Sequence, residues 1–233
     1  GAAPEKCRII PNGVKLSNYT KIREPKEESP ETHVIGFVGR VVPIKDVITL
    51  IKACKIVLDA VPNAIVKIMG PTDEDPEYYQ ECVQLVNILE LTEKIEFTGR
   101  VDLSEKYAEL DVVVLTSISE GQPLVILEAN ACGVRCIATD VGACAELLNG
   151  RISEDIALGP SGLVTPVFNP QATADAIIKL ITDQKFNNAC LESGIKRVKT
   201  YYNENDLNFA YSDIYDSLIK ESIKQQKRER YQT

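Results

Sequence analysis

Asp111-Val112-Val113-Val114-Leu115-Thr116, followed after two residues by Ser119-Glu120-Gly121-Gln122-Pro123-Leu124-Val125-Ile126-Leu127-Glu128-Ala129, decides how this chain is read. The β-branched run has the length and the two-sided apolarity of a buried parallel strand. A polar loop, a glycine, a proline and an apolar helix come next. Pro123 suits the first turn of that helix, where its missing N–H costs nothing. Glu120 falls in the loop at the carboxyl end of the strand, and Glu128 near the second turn of the helix. Between them, Gly121 and Pro123 lead to the N–H groups near Leu124 and Val125, which offer a seat for an anion such as phosphate. Acids that take hydroxyls, framing a helix end that takes phosphate, suit a sugar nucleotide. The plain alternative is a solvated loop acid and an unrelated acid on a helix face.

A second stretch favours the first reading. In His33-Val34-Ile35-Gly36-Phe37-Val38-Gly39-Arg40-Val41-Val42-Pro43-Ile44-Lys45-Asp46 an apolar strand ends at Gly39-Arg40, and a short loop leads to Lys45-Asp46 and an amphipathic helix. Arg40 supplies a flat bidentate donor and Lys45 a movable point charge, a combination suited to a diphosphate. Asp46 suits an N-cap. Two cations and two acids, each in a strand-to-helix loop, are a better account of a site than of scattered surface charge.

These residues resemble a known family. Gly39-Arg40 with Lys45, and Glu120 with Glu128 in an E-x7-E arrangement, look like the nucleotide-sugar half of a retaining GT-B glycosyltransferase of family GT4. Ile10-Pro11-Asn12-Gly13-Val14, Gly70-Pro71-Thr72-Asp73-Glu74-Asp75-Pro76-Glu77-Tyr78 and Ala138-Thr139-Asp140-Val141-Gly142-Ala143-Cys144 resemble its PelF-like subgroup, named for polysaccharide biosynthesis. The similarity runs from about Cys7 to about Tyr215. It implies a second Rossmann-like domain, with an N-terminal acceptor domain missing ahead of Gly1. The start Gly1-Ala2-Ala3, without methionine, fits a fragment or a processed chain.

Composition sets bounds. The 233 residues are 44% hydrophobic, enough for one large α/β domain. No apolar run reaches the roughly twenty residues of a membrane helix, and no signal peptide is visible. A net charge of −8 argues against nucleic acid as a partner. The stretch from Lys220 to Arg230 is basic, with Lys224, Lys227 and Arg228 among its cations. It reads as a fraying helix end, the alternative being weak association with an anionic membrane surface or a polysaccharide synthase. Seven cysteines and one histidine, His33, show no paired C-x2-C spacing. Buried, reduced thiols in a cytoplasmic protein account for them.

Strands are expected over Arg8–Val14, Val34–Val38, Ala64–Met69, Lys94–Phe97, Val112–Thr116 and Val134–Thr139. Helices are expected over Val47–Ala60, Glu77–Leu89, Leu103–Ala108, Leu124–Cys132, Gln171–Thr182, Phe186–Tyr201 and Glu204–Gln225. The alternation implies an α/β fold: a Rossmann-like doubly wound parallel sheet with right-handed crossovers. Residues 1–32 read as a connection whose charged stretch Lys21–Glu31 is a mobile linker, 33–200 as the nucleotide-sugar domain, and 201–233 as a C-terminal helix and tail. Arg40, Gly70, Gly99, Glu120 and Gly142 all fall just past strand ends, where ligands of such sheets bind. Neither G-x-G-x-x-G nor a Walker A motif is present.

The resemblance distributes roles. Arg40 and Lys45 stabilise charge on the leaving diphosphate, Glu120 contacts the donor hexose, and Glu128 takes the ribose hydroxyls. Backbone groups near Gly99, Arg100 and Val101 receive the base, with uracil favoured by the resemblance to the PelF-like subgroup. Retaining transfer in the family is written as front-face displacement without a protein nucleophile. Asp73-Glu74-Asp75 imitates a D-x-D metal motif, but the acids precede a helix that starts at Pro76, so a capping role is expected and no metal or other cofactor. Arg135 departs from the family's usual proline and reads as a changed turn or added charge near the site. Asn130 and Cys132 depart in helix packing. A GT-B-fold UDP-sugar epimerase and a non-catalytic UDP-binding module are the alternatives; a lone histidine gives the epimerase little acid–base chemistry. In family relatives the last helix packs on the first domain, so Phe209, Ile214 and Leu218 are expected either to lack their partner or to pack on their own domain.

Overall fold

The computed structural model describes residues 7–23 and 32–230. Six strands pair in parallel: β1 (His33–Val38), β2 (Ala64–Met69), β3 (Ile95–Gly99), β4 (Val112–Leu115), β5 (Arg135–Thr139) and β6 (Gly162–Thr165). Their order across the sheet is β3-β2-β1-β4-β5-β6. Every residue of β4 and β5 is buried, as two-sided coverage by helices requires.

The helices are α1 (Val47–Ala60), α2 (Pro76–Ile88), α3 (Leu103–Lys106), α4 (Leu124–Ala131), α5 (Cys144–Asn149), α6 (Ser153–Ile156), α7 (Pro170–Thr182), α8 (Gln184–Tyr201) and α9 (Glu204–Arg230). Leu50, Ile51, Cys82, Val86, Ile177 and Leu180 join α1, α2 and α7 into one apolar layer with Ile35, Val66 and Val112. On the other face Tyr107, Ile126, Leu127, Leu147 and Val198 pack α4, α5 and α8 against Val113, Cys136 and Ala138. Each fully buried Leu or Ile contributes about 1.5–3 kcal/mol. The Rossmann-like doubly wound reading is therefore met.

Several local expectations are corrected. Arg8–Val14 is not a strand: only Val14 pairs, in an isolated bridge to Asn203. Arg23 is buried rather than part of a mobile linker. Its backbone N–H donates to Cys132 O at 2.7 Å, and its guanidinium donates to Leu110 O at 2.6 Å and to the Asp111 carboxylate. The other carboxylate oxygen of Asp111 accepts from Val34 N, so one acid ties the incoming segment to the starts of β1 and β4. The linker residues 24–31 lie outside the described residues, as do residues 1–6, 231–233 and the basic side chains of 221–230. Arg135 opens β5 at the edge opposite the loops of interest. It is buried against Gly133 O and Asn187 O, and burial followed by Arg23 draws its pKa down to about 10. It adds no charge near the site. α5, α6 and β6 add to the elements that the sequence pattern leads one to expect.

Candidate functional site

β1 and β4 are neighbours in the sheet, yet the chain leaves them in opposite directions, toward β2 and toward β5. The carboxyl ends of two such strands open a crevice between their following loops. The loop after β1 carries Gly39, Arg40 and Lys45; the loop after β4 carries Glu120, Gly121 and Pro123. Backbone bonds fasten the rim: Ile118 N to Ile44 O at 2.8 Å, Gly70 N to Gly99 O at 2.9 Å, and Ala143 N to Gly121 O at 2.8 Å. Two glycines permit this closeness. A Cβ on Gly70, at φ +145°, would sit 2.0 Å from Gly39 O, and one on Gly142, at φ +53°, 2.1 Å from Glu120 O.

Across the crevice Lys45 Nζ donates to Glu120 Oε1 at 2.5 Å, and Ser117 Oγ donates to the same oxygen at 2.7 Å. The pair is half-buried, with side-chain exposures of 21% and 11%. Thr116 Oγ1 donates to Asp46 O at 2.8 Å, fixing the turn that carries Lys45. Asp46, in a left-handed conformation, caps α1 by accepting from Thr49 N at 3.2 Å. Arg40 is placed differently. It is 54% exposed and pairs at 2.9 Å with Glu74 of the β2 loop, itself 38% exposed. Arg100, just past β3, pairs with Asp73 at 3.3 Å. Asp75 caps α2 through Tyr78 N at 3.0 Å, with Pro76 in the first turn. The three acids of the D-x-D-like stretch are thus divided among two arginines and a helix end.

Leu124 and Val125 open α4, and Pro123 stands at the N-cap rather than inside the first turn, with no side-chain cap. Its backbone is extended at φ −71°, as the end of the β4 loop requires. Gln122 is tied back by Asn12 N, which donates to its Oε1 at 2.6 Å. Glu128 faces the other layer: its Oε2 accepts from Tyr107 Oη at 2.6 Å. Tyr19 lies edge-on to Tyr107, ring centres 6.1 Å apart. Burial first, and then the Glu128 carboxylate, raise the pKa of both phenols, so both stay protonated. Tyr19 also lines an open cleft of about 490 Å³ with Asn18, Val101, Asp102, Leu103 and Ser104, beside the Gly99–Val101 turn. Sequence reasoning missed both tyrosines. Leu103, Tyr107 and Leu110 follow i, i+4, i+7 spacing, a signal that Tyr107 faces inward and that its hydroxyl needs an acceptor.

The glycosyl transferases group 1 family matches residues 18–197, a span holding the crevice, the Glu128 cluster and all six strands of the sheet. The chain belongs to that family. Among curated relatives of this group 1 domain is a D-inositol 3-phosphate glycosyltransferase of Kribbella flavida, 29% identical over 78% of this chain and 44% of its own length. The chain spans about half the length of the first curated relatives it matches. Among solved structures, Anabaena Alr3699/HepE in complex with UDP and glucose superposes with a TM-score of 0.77 at 22% identity, over 93% of this chain and 58% of that one. The C-terminal domain of the group 1 protein LpcC of Francisella tularensis superposes at 0.68 with 27% identity, over 82% of this chain and 99% of that domain. The fold of this group 1 domain is therefore that of GT-B glycosyltransferases.

Proposed function

We propose that this group 1 domain is the C-terminal, UDP-sugar-binding half of a retaining hexosyltransferase, of family GT4 and close to the PelF-like subgroup. The observation that carries the reading is the Lys45–Glu120 pair across the β1/β4 crevice, with the open start of α4 beside it and Glu128 one turn further on. A diphosphate in the crevice meets Lys45 and the N–H groups of Leu124 and Val125, which match the charge that builds on the leaving phosphate. Arg40 joins them by exchanging its exposed bond to Glu74, a pair of the kind that stabilises by only about 0–1 kcal/mol. Glu120, released by Lys45, faces the hexose. Glu128 accepts from the ribose hydroxyls, and Gly99, Arg100 and Val101 border the base. With cations already at the diphosphate, the reading needs no metal ion.

The acceptor is read by an N-terminal domain outside this chain, in the cytoplasm or at the inner face of a membrane. Of the expected α9 face, the exposed Phe209 and Leu218 fit a surface that such a domain covers, while Ile214 is half-buried. By itself the chain binds donor and transfers nothing. Calorimetric titration with UDP, GDP and UDP-glucose, with Glu128→Ala as control and EDTA in one series, tests the proposal. Metal-independent UDP binding that the substitution weakens is expected. Absence of binding by every nucleotide, or binding that requires Mg²⁺, would overturn it.

A further inference from the structure

Glu128 is half-buried, and one of its oxygens is already bonded within the protein to a buried phenol. Tyr107 is fully buried, in the same core cluster as Leu110, Ile126 and Ala129. A buried ring of this kind has no freedom to follow a wandering side chain, so its hydroxyl marks one fixed point. Glu128, with three rotatable bonds, is held to that point at 2.6 Å. Such charge-assisted bonds are short and are stronger than neutral ones.

We propose that Tyr107 is a positioning residue that orients the Glu128 carboxylate toward the ribose hydroxyls of the donor, with Tyr19 as the outer wall that keeps it there. The inference rests on the reading of Glu128 as the ribose-binding acid. A carboxylate offers about four lone-pair sites on two oxygens. Tyr107 occupies one site on Oε2 and the Tyr19 hydroxyl also bears on the carboxylate, which leaves about two sites for the two ribose hydroxyls. Without the phenol, the acid is free to take rotamers that meet neither hydroxyl, and binding must supply the ordering. Tyr19 comes from the segment ahead of the sheet, meets Tyr107 edge-on and borders the cleft beside Val101. The acid that reads the ribose and the wall of the adjoining cleft are therefore one packed unit, assembled from residues 88 apart in the chain (107 − 19).

Titration with UDP and with 2′,3′-dideoxy-UDP distinguishes positioning from packing. Tyr107→Phe keeps the ring and removes only the hydroxyl. UDP is expected to bind this variant about tenfold more weakly, and the dideoxy ligand less than about twofold more weakly, so the preference for a full ribose collapses. In a Glu128→Ala background the same substitution is expected to leave that preference unchanged. Equal loss of both ligands, or a wild-type preference retained by Tyr107→Phe, overturns the inference while leaving the UDP site standing. A wild-type chain that binds no UDP removes the ribose reading and the inference with it. The wild type alone gives a second readout: the Tyr107 hydroxyl proton, followed by NMR, should shift with UDP and not with the dideoxy ligand. Equal shifts with both contradict the proposal even if the variant fails to fold.

Discussion

Arg197–Asp155 and Lys45–Glu120 are both close acid–base pairs, and their surroundings differ in kind. Arg197 Nε lies 2.6 Å from Asp155 Oδ1, and the two side chains are 0% and 2% exposed. The guanidinium also donates to Leu148 O at 2.8 Å, Asp155 O at 3.1 Å and Gly159 O at 2.7 Å. Every nitrogen of the group is used, and the pair locks α8 to the α5–α6 region. Lys45 has three protons and, among the described residues, one acceptor; the two donors to Glu120 share a single oxygen. A saturated pair closes a core, whereas a pair with unused capacity at a strand-end crevice can exchange partners with a ligand.

Breaking each pair should separate the two kinds of role. Arg197→Met leaves a buried carboxylate uncompensated, and a loss of about 3–5 kcal/mol is expected in urea unfolding, with UDP affinity of the folded fraction unchanged. Lys45→Ala reverses the pattern. UDP binding should weaken about ten- to hundredfold by calorimetry, while stability moves by less than about 1 kcal/mol. Equal stability losses for the two variants would erase the distinction. Gly142→Ala probes the crevice rim: its Cβ would meet Glu120 O, so the backbone must shift. About 1–2 kcal/mol of stability should go, together with a several-fold loss of UDP affinity. The smallest effect is expected from Glu74→Gln, which removes the charge of Arg40's exposed partner and weakens their bond. UDP should bind about two- to threefold more tightly at low salt, and the gain should fade as salt rises.

Much of the fold was legible because its long strands and helices carry unmixed patterns. β1, β2 and α1 lie where their apolar periodicity puts them, and Asp46 and Asp75 cap the helices that follow them. β6 was missed for a physical reason: Gly162-Leu163-Val164-Thr165 is four residues long, starts on a glycine and follows Gly159-Pro160, so it reads as a loop. It is a strand because β5 lies beside it, a tertiary cause that no local pattern reports. Gly162 is required there, since a Cβ would come 1.8 Å from Cys136 O. Arg23 shows the opposite failure. Its charged, proline-bearing surroundings suggested a solvated linker, yet Asp111, distant in sequence, draws it into the protein.

The residues singled out for the site fell into two groups. Lys45 and Glu120 meet, because the β1 and β4 loops share one crevice. Arg40 turns instead to Glu74, a pairing that strand-end placement does not reveal. Tyr19 and Tyr107 carry no motif, and only packing shows that both adjoin Glu128.

The central claim is that UDP binds at the carboxyl ends of β1 and β4. The most direct measurement is backbone NMR of the chain titrated with UDP. The account predicts perturbations concentrated at residues 39–45, 99–103 and 120–128, all titrating with one affinity, with the Arg197–Asp155 region silent. Perturbations confined to other surfaces, or none at saturating UDP, would contradict it.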